Sequence, residues 1–262
     1  MSLFKKKRGT DETIKNGANL ITVADPKGPV TEQFRTIRTN INFMAVDHDI
    51  KSVAFTSANI SEGKSTVAAN VAVTYAQAGR KVLLIDADLR RPTVHRTFNL
   101  SNHVGLSTVI SSTAKEVDLD DVVQDSGIAD LAILPAGPTP PNPSELIGSK
   151  RMQDFISLVE DHYDMVIIDL APVLEVSDTQ ELARRLDGII LVVRQGKTQK
   201  AAIKRAVEML NFSKAKVLGF IMNDISSDNA GYGYGYGYGY GYGYGYGEED
   251  KKKKGFFSGR KK

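Results

Sequence analysis

VAFTSANISEGKST, residues 53–66, reads as a short apolar strand running into a polar turn that opens a helix. Val53 to Ser57 supply the strand, and the run from about Lys64 to Ala78, closed by Gly79, has the composition of a helix ended by a left-handed cap. Strand, turn and helix in that order make a phosphate cradle, because a helix N-terminus presents unpaired amides and a positive dipole end to an anion. In the segment Ser61, Glu62, Gly63, Lys64, Ser65, Thr66, the glycine lets the backbone approach the phosphates. Lys64 reaches the outer oxygens, and the Ser65 hydroxyl can hold Mg²⁺. The first glycine of the full GxxxxGK[ST] pattern is replaced by Ala58, so taken alone the motif also fits a helix that merely begins with lysine.

Two further strands favour the cradle, although any one of their aspartates taken singly would also fit an exposed loop or a helix cap. Val82 to Ile85 runs into Asp86-Ala87-Asp88-Leu89-Arg90, and Met165 to Ile168 runs into Asp169-Leu170-Ala171-Pro172. Parallel buried strands end their apolar runs where the ligand crevice opens, so Asp86, Asp88 and Asp169 are expected to converge on the cradle. More strands are expected at 131–134, 189–193 and 217–222, with helices near 150–160, 178–186 and 198–211. The expected fold is α/β: an open, mostly parallel sheet with helices on both faces. The domain organisation reads as a basic segment at 1–29, the phosphate-binding domain at 30–225, and a tail at 226–262.

The chain of 262 residues contains no cysteine, which removes disulfides and thiolate metal sites. It shows no apolar run near the roughly 20 residues of a membrane helix, and the expected setting is a soluble, cytoplasmic one. The net charge of +3 is uneven. Lys5 to Arg8 carry four positive charges, and residues 248–262 carry a net four more, which leaves the body at −5. That balance argues against a nucleic-acid-binding core. Phe4 and Phe256-Phe257, each beside a basic run, would suit a membrane surface, as solvated ends would also carry them. His48, His95, His103 and His162 share no metal-ligand spacing.

The tail is GYGYGYGYGYGYGYGYG at 231–247, with phenols at Tyr232, Tyr234, Tyr236, Tyr238, Tyr240, Tyr242, Tyr244 and Tyr246. Glycine at every second position is costly to order and no aliphatic residue is present to bury, so the segment reads as a display of phenols. Composition alone equally allows a self-associating Gly/Tyr linker.

Together these elements resemble the bacterial tyrosine kinases of the P-loop type, the kinase subunits of capsule and exopolysaccharide regulation in Gram-positive bacteria. The resemblance spans almost the whole chain. Its elements are SANISEGKST (Walker A), VLLIDADLR (Walker A′), VIIDLAP (Walker B), the helix TEQFRTIRTNINF, the stretch LPAGPTPPNPSELIGSKRM and the terminal tyrosine cluster. Ile60-Ser61 stands where the family usually has Pro-Gly, and Leu170 stands where threonine is common. The resemblance implies ATP and Mg²⁺ as cofactors. Lys64 and the backbone of 60–66 would hold the β/γ phosphates, and Ser65, Asp88 and Asp169 the metal, directly or through water. Asp86 would be the base that takes the phenol proton, with Lys64 and Asp88 completing the catalytic set. Arg194 and Asn223 would face the nucleoside, and the tail tyrosines would accept phosphate in trans.

Glu32, Arg35 and Arg38 form E-x-x-R-x-x-R on one helical face, which by spacing is a solvated ionic stripe. By resemblance it is an oligomerisation surface of a ring formed by dephosphorylated chains. The resemblance further implies a transmembrane activator of the polysaccharide co-polymerase type that recruits the chain to the inner membrane face, and a cognate tyrosine phosphatase. The main competing expectation is a partitioning ATPase of the same fold class without kinase activity. Its hallmark lysine, four residues before the cradle glycine, is here Asn59.

Overall fold

The computed structural model describes residues 16–44, 49–112 and 118–225. The tail tyrosines, both basic ends, Phe4, Phe256-Phe257 and His48 lie outside the described residues. The chain divides after Ile225.

Seven strands form one sheet: β1 Ser52–Ser57, β2 Val82–Asp86, β3 Gln124–Asp125, β4 Leu131–Leu134, β5 Met165–Asp169, β6 Gly188–Arg194 and β7 Val217–Asn223. Their spatial order is β3-β4-β2-β5-β1-β6-β7, and every pairing is parallel except β3 with β4. Among the described residues the α-helices are α1 Ile21–Ala24, α2 Pro29–Met44, α3 Lys64–Ala76, α4 Val94–Thr97, α5 Leu106–Ser111, α6 Pro143–Ile147, α7 Lys150–His162, α8 Asp178–Ala183 and α9 Lys200–Phe212. The antiparallel β3, two residues long, has no periodicity that a sequence reading could detect.

Strands β1, β2 and β5 are buried along their whole length because helices cover both faces. One apolar layer packs α3 with Phe55, Leu84, Ile133 and Ile167; the opposite layer packs Leu83, Ile85, Val166 and Ile168 with Phe155, Ile156 and Leu210 of α7 and α9. Alternation along each strand sends neighbouring residues to opposite layers. α3 is buried around most of its circumference, so Ala68, Ala69 and Ala72 keep it close to the sheet. The register then places the site. Phe55 is opposite Asp169 and Asp169 opposite Asp86, so the ends of three adjacent strands meet at the loop that follows β1.

Candidate functional site

The loop from Ala58 to Gly63 leaves β1 and delivers the chain to α3. Gly63 is the N-cap of α3 at φ 94°, a left-handed conformation, and a Cβ there would lie 2.0 Å from the Asn223 amide nitrogen. Ser61, two residues earlier, is also left-handed at φ 65°. A glycine at this position costs nothing in that conformation, whereas serine is held there against its preference, which is the physical content of the Ile60-Ser61 departure.

Lys64 turns its side chain inward. Its ammonium is 2.9 Å from Asp88 Oδ2, 3.1 Å from Asp169 Oδ1 and 3.2 Å from the Ser65 hydroxyl. Burial disfavours its charge, but Asp169, Asp88 and Asp86 more than offset that, so its pKa lies above the ordinary lysine value. Asp88 is pushed up by burial and pulled down further by the Lys64 cation, the hydrogen bond to it and the amides of Arg91 and Arg90. The net shift is downward, and it is ionised at neutral pH.

Asp86 is in a different position. It is fully buried, and its carboxylate accepts the Asp88 amide at 3.2 Å, the Thr93 amide at 2.9 Å and the Val94 amide at 3.0 Å. Burial and the facing Asp169 carboxylate push its pKa up to about 8. Asp169, also fully buried, is raised chiefly by burial, and its Oδ2 has no hydrogen-bond partner among the described residues. Asp88 lines the cleft, while Asp86 sits behind it and shapes the 88–94 connection.

The cleft itself has a volume of about 240 Å³ and is lined by Ile60, Ser61 and Gly63 of the loop, by Lys64 to Thr66 of the first turn of α3, by Asp88, Arg91, Thr93 and Pro172, and by Arg194, Asn223 and Asp224. Arg194 and Asn223 therefore reach the cleft from the ends of β6 and β7. Both also hold the loop: Arg194 Nη1 donates to the Ser61 carbonyl at 3.2 Å, and the Asn223 amide donates to the Glu62 carbonyl at 3.0 Å. Arg194 is further paired with Asp224 at 3.0 Å. The side chain of Glu62 faces back into the loop, away from the opening. Arg91, Thr93 and Asp224 are cleft residues that the sequence reading passed over, since none belongs to a recognisable pattern.

The donor set suits a hard cation. Two carboxylate oxygens and a hydroxyl already converge on the ammonium of Lys64, a cation in the same enclosure. Among the described residues no three His, Cys, Asp or Glu side chains form a metal cage, so a Mg²⁺ ion here would complete its shell with water and phosphate oxygens.

On α2, Glu32 and Arg35 form an exposed ion pair, and Arg35 Nη2 also donates to the Pro26 carbonyl at 2.8 Å. Arg38 is half-buried and donates to the Thr74 carbonyl of α3, so it braces α2 against α3 within the chain. Phe34, Ile37 and Ile41 face the core. No described helix is long and apolar enough to cross a membrane.

Fold and site together define a nucleotide-binding protein: a strand, a glycine-hinged loop and a helix N-terminus bearing lysine, flanked by two strand-end aspartates. A family model described as an AAA domain matches residues 50–217. Tyrosine-protein kinase YwqD of Bacillus subtilis is 50% identical over 205 residues, covering 78% of this chain and 85% of that protein. Among solved structures, the kinase domain of the Escherichia coli tyrosine kinase ETK superposes with a TM-score of 0.76 at 31% identity, covering 92% of each chain. The chimerical protein CapA2B2 superposes with a TM-score of 0.74 at 38% identity, covering 82% of this chain and 98% of that one. The chain belongs to the bacterial tyrosine kinases of the P-loop type.

Proposed function

We propose that the chain is an ATP-dependent protein-tyrosine kinase that phosphorylates its own terminal tyrosine cluster, Tyr232 to Tyr246, in trans and acts in capsule or exopolysaccharide regulation. The observation that carries this is the Lys64 ammonium held between Asp88 and Asp169 at the mouth of a phosphate loop, in a chain half identical to a protein named a tyrosine kinase. The partitioning-ATPase reading is the weaker one, since the relatives are named kinases and Asn59 replaces its hallmark lysine.

Phosphoryl transfer needs positioning and charge neutralisation more than covalent help. The amides at the start of α3 bind phosphate oxygens, and Lys64 leaves the carboxylates to neutralise the outer ones. Ser65, Asp88 and Asp169 would hold Mg²⁺, which when bound draws charge off the phosphates and orients them. By resemblance to the family, rather than by its position behind Asp88, Asp86 is assigned the proton of the acceptor phenol, a group whose ordinary pKa near 10 makes it a poor nucleophile unassisted. Arg194 and Asn223 border the nucleoside end while fixing the loop. Residues 1–29 act as a basic N-terminal tail or linker, 30–225 as the kinase domain and 226–262 as the tyrosine cluster and basic C-terminal tail. A membrane activator recruits the chain to the inner membrane face, a tyrosine phosphatase reverses the reaction, and the Glu32, Arg35, Arg38 stripe joins dephosphorylated chains into a ring.

The test is incubation of the purified chain with Mg-ATP, with and without a candidate membrane partner, followed by phosphotyrosine detection and mass-spectrometric mapping of the 231–247 peptide. Absence of phosphate on that peptide under every condition, with ATP hydrolysed normally, would overturn the kinase reading in favour of the ATPase.

A further inference from the structure

The most densely hydrogen-bonded side chain beside the cleft is one to which catalysis assigns no task. Glu62 is only 4% exposed, yet no cation pairs with it among the described residues. Its Oε2 accepts the Ala58 amide at 3.0 Å and the Asn59 amide at 3.3 Å. Its Oε1 accepts the Asn59 side-chain amide at 3.1 Å and the Thr198 hydroxyl at 2.7 Å. Thr198, in the connection between β6 and α9, in turn accepts the Arg194 amide at 2.9 Å.

We propose that Glu62 and Thr198 form a latch that holds the phosphate loop in its binding shape, which makes both of them positioning residues for nucleotide. The inference rests on the nucleotide-binding reading of the site and adds what keeps that site formed. A carboxylate beside a phosphate cradle repels the ligand, so a purely electrostatic optimum would not place one there. Its use is mechanical. At the position where the pattern has its first glycine, Ala58 begins the turn, and the Glu62 carboxylate gathers the Ala58 and Asn59 amides as a bound anion would gather them. The amides that open α3, which lack intrahelical partners, stay available to phosphate. The left-handed Ser61 lies inside this loop, and such a conformation persists only where its surroundings over-determine it. The Thr198 bond, with Arg194 on the Ser61 carbonyl and Asn223 on the Glu62 carbonyl, ties the loop to the ends of β6 and β7 and supplies that constraint.

The experiment is calorimetric titration of the full chain with ADP in the presence of Mg²⁺, alongside melting curves without nucleotide. A hydrogen bond to a charged group is worth enough that Thr198→Val should weaken ADP binding about tenfold. Thr198→Ser, which restores the hydroxyl, should bind like the wild type. Glu62→Gln should also weaken binding, because its amide cannot accept from all four donors, although it removes a repulsive charge. Wild-type affinity in Thr198→Val, or tighter binding in Glu62→Gln, would overturn the latch while leaving the nucleotide site standing. A wild-type chain that binds no ADP would overturn both readings. A Thr198→Val loss of affinity not recovered by Thr198→Ser would show that bulk at this position matters rather than the bond, and would equally overturn the latch.

Discussion

Replacing Lys64 by methionine removes a cation and keeps much of the side-chain volume, so it tests the charge balance of the site with little cavity effect. The ammonium lies 2.9 Å from Asp88 and 3.1 Å from Asp169, and both carboxylates are buried. Removing one partner of a buried pair costs about 3–5 kcal/mol, because the other is left uncompensated. In a domain of this size each kcal/mol lowers Tm by about 2–4 °C, so even the lower bound predicts a fall of roughly 6–12 °C near pH 8. The sign with pH follows from Asp88. In the wild type its lowered pKa contributes stability above the ordinary carboxylate pKa, and that contribution is lost as pH falls through the native value. Without the Lys64 cation and its hydrogen bond, burial is opposed only by the amides of Arg91 and Arg90, so the Asp88 pKa rises from its wild-type position and the stability it contributed at high pH is diminished. The deficit of the variant should therefore shrink as the buffer moves toward about pH 5. Mg²⁺ without nucleotide should stabilise the variant, by about 3 kcal/mol at a hundred times its Kd, and leave the wild type, whose ammonium already occupies the enclosure, nearly unmoved. Scanning calorimetry of nucleotide-free protein at two pH values, with and without MgCl₂, measures all of this. A variant melting within about 2 °C of the wild type at high pH, or an equal Mg²⁺ response in both proteins, would refute the reasoning.

Gly63→Ala should abolish measurable ADP binding in calorimetry, since its methyl would meet the Asn223 amide at 2.0 Å on a left-handed backbone, and the loop must shift. Asp86→Asn should keep Mg-ADP binding but lose phosphotyrosine formation, while Asp169→Asn should also weaken the Mg²⁺ dependence of binding; equal binding losses in both would refute the division of roles. With the Asp86 pKa pushed up to about 8, transfer catalysed by its ionised form should rise with pH through that value, read from initial phosphorylation rates in a series of buffers. Replacing all eight tail tyrosines by phenylalanine should keep the chain associated in light scattering after Mg-ATP treatment, whereas the wild type, gaining about −1.5 to −2 charges per phosphate, should dissociate. Identical masses with activator present would rule this out.

The cradle, the aspartates at and just beyond the ends of β2 and β5, and the parallel α/β order were legible in the chain because each is a local pattern. Apolar runs end in acids, and Gly-Lys-Ser opens a helix after a strand. β-strand limits came within a residue or two, since a fully buried strand stays apolar along its whole length. What no local pattern carries is who pairs with whom. Only the sheet order β2-β5-β1 sets Asp86 beside Asp169 and both beside the loop. That packing separates chemically identical residues: Asp88 is ionised by Lys64, while Asp86 is raised by burial and a like charge. The same holds for Arg194, Asn223 and Thr198, which come from segments more than 130 residues beyond the loop they grip. Likewise Arg38, written into an ionic stripe by its spacing, is drawn onto Thr74 by the packing of α2 on α3. Periodicity fixes which face a side chain shares with its neighbours along the chain. The partner across the fold is chosen by tertiary packing, because it depends on the relative placement of elements whose separation in sequence carries no distance information.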